Sequence, residues 1–195
     1  REVAESALRA FETLVDKRLQ GVPIAYLLNH REFFGLDFYV DESVLIPRPE
    51  TEFMVEAVLQ LDLPAEVSLL DLGLGSGAIA LTLGSLCPQW RIYGAEASQP
   101  ALQVAKRNAE QLLDRAVDFR LSDWFTAFEG ERFDVIVSNP PYVEPDSAYL
   151  NEGDVRFEPL EALTADSEGT ADLRWIASQS RAFLSEAGWL FMEHG

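Results

Sequence analysis

"LLDLGLGSGAIAL", residues 69–81, decides how the rest of the chain is read. Its first residues are apolar on both faces apart from Asp71, glycines follow at 73, 75 and 77, and small apolar residues come next. That is a buried strand, a tight turn and the start of a helix. Glycines serve where backbone turns sharply or lies against a ligand, and a helix N-terminus offers unpaired N–H groups. About twenty residues past the loop a second predicted strand ends at Glu96. A carboxylate there can accept hydrogen bonds from both hydroxyls of a ribose.

This is a nucleoside-cofactor signature that leaves the cofactor open. Gly73, Gly75 and Ala78 also fit the dinucleotide-binding spacing, so NAD stays among the alternatives at this point. A phosphate-binding P-loop is excluded, because no Gly-Lys-Ser/Thr follows.

Working outward, strand and helix signals alternate, the pattern of a parallel sheet covered on both faces. Strands are predicted near 67–72, 91–95, 117–120, 133–138 and 188–193, and helices near 77–86, 98–113 and 170–185. Upstream, Val3, Ala7, Phe11, Leu14, Val15 and Leu19 have helical spacing and predict a helix over 1–20 with one buried stripe. Gly21 and Pro23 end it. Residues 31–40 alternate around Gly35 and read as a short hairpin. Ile46-Pro47-Arg48-Pro49 leads into a helix near 50–60, with a proline at its first turn. The acidic, irregular stretch 143–169 is long enough for a functional loop.

Composition narrows the class further. The chain has 195 residues, 48% of them hydrophobic, enough for one main domain with a small additional element. No apolar run is long enough for a membrane helix and the first residues do not form a signal peptide, so a cytoplasmic protein is expected. A single cysteine, Cys87, excludes an internal disulfide framework and is expected to be a packing residue. With only His30 and His194, no metal site is expected. The net charge of −18 disfavours nucleic acid as a partner and suits a protein.

"SNPPYVEP", residues 138–145, leaves the predicted fourth strand in an unusual way. Asn139 should sit beside the glycine loop, at the carboxyl ends of the strands where open α/β sheets bind ligands. The Asn139 side-chain oxygen and the Pro140 carbonyl can each accept one hydrogen of a planar NH2 group. Two rigid acceptors favour the positive charge that develops at such a nitrogen during attack. Pro140 and Pro141 stiffen the turn and Tyr142 can stack on the substrate. Beside a nucleoside cofactor, methyl transfer from S-adenosylmethionine is the reaction that fits.

With these residues on the page, the sequence resembles the peptide-chain release factor glutamine methyltransferases, the HemK/PrmC family. The resemblance covers nearly the whole chain: "GVPIAYLLNHREFFGLDFYV", "VLIPRPETEFMVE", "LLDLGLGSGAIAL", "SDWF", "FDVIVSNPPY", "FEPLEAL" and "GWLFMEHG". It implies an α/β, Rossmann-like class I methyltransferase fold with a mostly parallel sheet, preceded by a helix and a β-hairpin. Residues 1–20 would be the remnant of an N-terminal helical domain, 21–47 a hairpin linker, and 48–195 a methyltransferase domain lacking its last strands. The implied activity is methylation of the side-chain amide nitrogen of glutamine in the Gly-Gly-Gln motif of class I release factors.

The resemblance also carries over roles. Gly73, Leu74, Gly75, Ser76 and Gly77 would hold S-adenosylmethionine together with Glu96, Trp124 and Asn139. Asn139, Pro140 and Tyr142 would be catalytic, and with Pro141 would grip the glutamine. Arg48 and Glu50 would line the cofactor entrance. Leu74 replaces the usual threonine and is expected to present mainly backbone, while Glu96 replaces the usual aspartate. Asp123 can reach the adenine amino group or cap the next turn. Glu193 and His194 end the fifth strand with no role assigned. An adenine amino-methyltransferase acting on RNA or DNA would use the same clamp on a flipped base, and a silent cofactor-binding module is the other rival.

Overall fold

The computed structural model describes residues 4–195, so Val3 of the expected helical stripe lies outside the described residues. Helix α1 (Glu5–Leu19) forms as its spacing predicts, but its stripe is not buried. Phe11 and Leu19 are 62% and 80% exposed, and Leu8 and Val15 also face outward. Periodicity shows that a face can be buried; whether another element covers it is a tertiary matter. A short helix α2 (Ile24–Leu28), not expected from the sequence, follows and seats Tyr26, whose hydroxyl donates to the Val44 carbonyl at 2.6 Å.

Strands β1 (Arg31–Phe33) and β2 (Leu36–Phe38) form the expected hairpin, with Arg31 opposite Phe38. The turn puts Phe34 and Gly35 in the left-handed region, and the Phe34 N–H donates to Glu52 at 2.8 Å. Phe33 and Phe38 leave the hairpin for the core. Asn108 ties the same region to the sheet domain. Its side chain accepts from the Tyr39 N–H at 2.8 Å and donates to the carbonyls of Tyr39 and Ser76 at 3.0 and 2.8 Å.

The predicted helix near 50–60 is α3 (Glu52–Leu59), entered through a single 3-10 turn over Pro49–Thr51. The sheet strands are β3 (Ser68–Leu72), β4 (Arg91–Glu96), β5 (Asp118–Leu121), β6 (Phe133–Ser138) and β7 (Leu184–Met192). Their spatial order is β5-β4-β3-β6-β7 and every pairing is parallel. Helices α4 (Ala78–Leu86) and α5 (Gln99–Leu112) connect β3 to β4 and β4 to β5. A single turn α6 (Asp166–Gly169) and helix α7 (Ala171–Ser180) precede β7. This edge strand starts four residues earlier than predicted, and α7 ends five earlier.

Both faces of the sheet are covered, which is why β3 shows an apolar run instead of alternation. Leu69, Val135 and Val137 pack on one face with Ile79 and Leu83. Leu70, Leu72 and Ile136 pack on the other with Phe125, Phe128 and Ile176. Cys87 is half-buried against the first of these clusters, the packing role expected for it. Among the described residues, no helix is long and apolar enough to cross a membrane.

Candidate active site

The order of the strands creates the site. The chain runs outward from β3 to β4 and β5, then returns to the other side of β3 as β6. Ligands of such sheets bind where the direction reverses, at the carboxyl ends of the strands. Leu72 pairs with Ser138 and with Ala95, so Gly73 has Asn139 on one side and Glu96 on the other.

The glycine loop adopts a backbone that side chains resist. Gly73, Gly75 and Gly77 have φ of 76°, 52° and 81°. A Cβ on Gly77 would lie 2.9 Å from Leu81 Cδ1. The N–H groups of Gly73 and Leu74 donate to the Ala95 carbonyl at 2.9 and 3.1 Å. Beyond them Glu96 accepts from the Gly75 N–H at 2.8 Å and the Ser98 N–H at 2.9 Å, one on each oxygen. A carboxylate has about four acceptor sites, so two remain available. Under the loop, Asp71 accepts from the Ala80 N–H at 3.2 Å while its other oxygen is buried without a partner among the described residues. Burial pushes its carboxyl well above the usual range, the Ala80 bond opposes this, and Glu96 adds to it.

Leu74 differs from the expectation that it presents mainly backbone. Its side chain is buried against β4, and a Cβ on Gly94 would meet Leu74 Cδ1 at 2.5 Å. Turn chemistry made the backbone visible in the sequence, but the facing glycine lies twenty residues away and is paired only by the sheet.

A cavity of about 420 Å³ opens above these residues, within the usual range for ligand sites. Gly73, Leu74, Gly75, Ser76, Glu96, Trp124, Asn139 and Pro141 border it, whereas Gly77 does not and serves as the left-handed N-cap of α4. Trp124 holds a left-handed φ of 46°, a conformation that bulky residues avoid, and its ring lies 6.4 Å from that of Trp175. The Ser122 hydroxyl fixes that turn by donating to the Trp124 carbonyl at 2.8 Å. Asp123 borders the cavity, and among the described residues its side chain makes no capping hydrogen bond.

A second cavity of about 350 Å³ lies alongside, bordered by Asn139, Pro140, Tyr142, Glu144 and Tyr149. Leu45, Arg48, Asn139 and Ala162 border both, so Asn139 stands at the junction. Its Nδ2 donates to the Thr51 hydroxyl at 3.3 Å, which turns its oxygen into the available acceptor. Thr51 was not identified from the sequence; the only signal was its place in the Pro-Arg-Pro-Glu-Thr-Glu segment. Tyr142 is anchored from behind, its hydroxyl donating to Glu193 Oε1 at 3.3 Å. Burial and Glu193 raise its pKa. Arg48 borders both cavities, as expected, while exposed Glu50 borders neither.

The stretch 143–169 folds over this rim. The Tyr142 and Val143 N–H groups donate to the Leu163 carbonyl at 3.2 and 2.9 Å, and the Ala165 N–H to Val143 at 3.0 Å. Gly169 lies so close that a Cβ there would be 2.2 Å from the Tyr142 carbonyl oxygen. Glu158, buried, pairs with Arg48 at 2.7 Å. Asp172 borders the larger cavity as well and carries no sequence signal, whereas Glu158 is visible in the sequence only through its place in the Phe-Glu-Pro segment.

This geometry has counterparts among known proteins. The family model described as "Methyltransferase small domain" matches residues 49–153. A release factor glutamine methyltransferase of Shewanella oneidensis is 46% identical over 187 residues, covering 96% of this chain and 65% of that protein. One of Burkholderia pseudomallei is 47% identical over 202 residues, covering all of this chain and 71% of that protein. The chain therefore spans about two thirds of the length of these relatives. A methyltransferase structure from Pyrococcus furiosus aligns over 90% of this chain and 75% of its own, at 18% identity and a TM-score of 0.59, and shares the fold. Identity of this extent, over a chain whose glycine loop and Asn-Pro-Pro-Tyr turn meet at one rim, places the protein in the release factor glutamine methyltransferase family.

Proposed function

We propose that the protein transfers a methyl group from S-adenosylmethionine to the side-chain amide nitrogen of the glutamine in the Gly-Gly-Gln motif of peptide chain release factors. The observation that carries this reading is Asn139. It stands where the two cavities join, with its nitrogen held by Thr51 and its oxygen left to accept.

The residues present fit the cofactor. Glu96 keeps acceptor capacity at the ribose position, Trp124 offers a ring at the cavity wall, and left-handed Gly73 and Gly75 present backbone to the cavity. S-adenosylmethionine supplies an activated methyl group. On the substrate side, the Asn139 oxygen and the Pro140 carbonyl accept from the glutamine NH2 and hold its nitrogen toward the larger cavity. Charge developing at that nitrogen then meets two preorganised acceptors, which is differential stabilisation of the transition state. Tyr142, fixed by Glu193 and by the Leu163 carbonyl, covers the side chain and excludes water.

The domain reading belongs to the same proposal: residues 1–20 as part of a helical domain, 21–47 as a hairpin linker and 48–195 as the methyltransferase domain. The exposed apolar face of α1 supports it. The partner is a release factor, in keeping with a charge of −18 that opposes phosphate backbones.

The test is transfer of labelled methyl to purified release factor, with the native Gly-Gly-Gln loop, with a Gln→Ala loop and with total RNA. Label on the native factor alone is the expected result. Label on RNA alone would replace this reading with base methylation, and no label on any acceptor would leave a cofactor-binding module.

A further inference from the structure

Tyr142 is restrained at its hydroxyl and on both sides of its main chain, and one of these restraints is made by a backbone that side chains resist. The hydroxyl reaches Glu193, and the N–H donates to the Leu163 carbonyl at 3.2 Å. The carbonyl faces Gly169, where an added Cβ would lie 2.2 Å from its oxygen and 2.9 Å from its carbon. Both atoms are main chain and cannot swing aside as the end of a side chain can, so only glycine fits.

The turn that delivers Gly169 is left-handed. Ser167 has φ 56° and ψ 54°, Glu168 has φ 57° and ψ 41°, and Gly169 has φ 72°. Residues with a Cβ avoid this region because the Cβ crowds the following carbonyl, and they enter it singly rather than in runs. Asn29, Phe34 and Trp124 are such single residues, whereas Ser167 and Glu168 are the one adjacent non-glycine pair among the described residues. Both are exposed, so neither side chain gains burial from the conformation. The bonds that fix it belong to the main chain: the Ser167 carbonyl accepts from the Thr170 N–H at 3.2 Å and from the Thr170 hydroxyl at 2.7 Å.

What the turn achieves is a reversal of the chain around Tyr142. Before it, Val143 bridges Thr164 in parallel and the Val143 carbonyl accepts from the Ala165 N–H at 3.0 Å. After it, Gly169 lies against the Tyr142 carbonyl and α7 starts at once, with Ile176 in the core. Backbone strain persists where the surrounding structure over-determines it, and it gathers at functional sites. We infer that the left-handed turn 166–169 is a clasp that sets the position of Tyr142 at the substrate cavity, with Gly169 as its positioning residue. This rests on the glutamine-gripping role proposed above for Tyr142.

The experiment is a double-mutant cycle on methyl transfer to purified release factor, with S-adenosylmethionine affinity measured by calorimetry on the same proteins. Gly169→Ala should lower kcat/KM for the release factor about ten- to a hundredfold, the effect of misplacing a substrate contact by about 1 Å. Cofactor affinity should stay within about twofold of wild type, as for an uncoupled site, which also reports that the variant is folded. In a Tyr142→Ala background no ring is left to position, so Gly169→Ala should change kcat/KM by no more than about a further twofold. Glu168→Gly keeps Gly169 and eases the turn. It should raise Tm by about 2–4 °C and yet lower kcat/KM about two- to fivefold, because a looser turn holds Tyr142 less firmly. This second variant decides the matter if Gly169→Ala does not fold. A Gly169→Ala loss that is equally large without Tyr142, or that falls equally on cofactor affinity, would overturn the clasp, as would a stabilised Glu168→Gly with unchanged turnover. Wild-type protein that transfers no methyl to release factor would overturn the proposed function, and this inference with it.

Discussion

The side-chain nitrogen of Asn139 donates to the hydroxyl of Thr51 at 3.3 Å, joining the end of β6 to the turn that opens α3. In this arrangement the Thr51 hydroxyl accepts from the side-chain nitrogen, which leaves the Asn139 oxygen as the atom offered to a substrate. Asn139→Ala should lower kcat by about one to three powers of ten and leave cofactor affinity nearly unchanged, as for removal of an oriented transition-state group. Thr51→Val should lower kcat by about two- to tenfold, the worth of one hydrogen bond. Single-turnover methylation with parallel binding measurements checks both, and unchanged turnover in Asn139→Ala would sink the clamp.

Leu74 and Gly94 form a second pair, because the buried leucine fills the space over the glycine. Gly94→Ala should destabilise the protein by about 1–3 kcal/mol through overpacking. Shortening the neighbour in a Gly94→Ala, Leu74→Ala double variant should recover part of that cost. Urea unfolding of the two single variants and the double variant measures the coupling.

Asn108 satisfies three backbone groups at once, two on Tyr39 and one on Ser76. Asn108→Ala should therefore cost at least about 2 kcal/mol, since each backbone group left buried and unpaired costs about 1–3 kcal/mol. Hydrogen exchange should rise at Tyr39, whose N–H loses its acceptor.

Asp71 makes stability depend on pH in an unusual direction. Burial raises its folded-state pKa above the unfolded value, so between the two the native state binds more protons than the unfolded state. This contribution is fully present below about pH 4, the unfolded carboxyl value, and is lost as pH rises through the folded pKa. Asp71→Asn removes the loss while keeping an acceptor for the Ala80 N–H. The stability of the variant relative to wild type should grow from about pH 4 upward and level off once the folded pKa is passed, as followed by denaturation across pH. A pH-independent difference would contradict this assignment.

Much of the fold was legible because its signals are local. Residues 69–81 show their strand, turn and helix through apolar runs and glycines, and the sheet strands up to β6 fall within about two residues of their expected bounds. The first half of β7, Leu184 to Gly188, carries no alternation and no β-branched residue, so the sequence shows only the second half; pairing with β6 makes the whole a strand. The stripe of α1 was correctly periodic yet exposed, since periodicity carries no information about a covering partner.

Local signals in the sequence suffice to show that strands alternate with helices, that three glycines turn the backbone between the first sheet strand and its helix, that an acid ends the next strand, and that Asn-Pro-Pro-Tyr closes the fourth sheet strand. These are short-range facts of backbone conformation and residue chemistry. Long-range packing alone brings Thr51 to Asn139, Glu193 to Tyr142, Gly94 to Leu74 and buried Glu158 to Arg48. The reason is physical: these partners are between 20 and 110 residues apart, and no local preference encodes a contact that parallel pairing and chain return create.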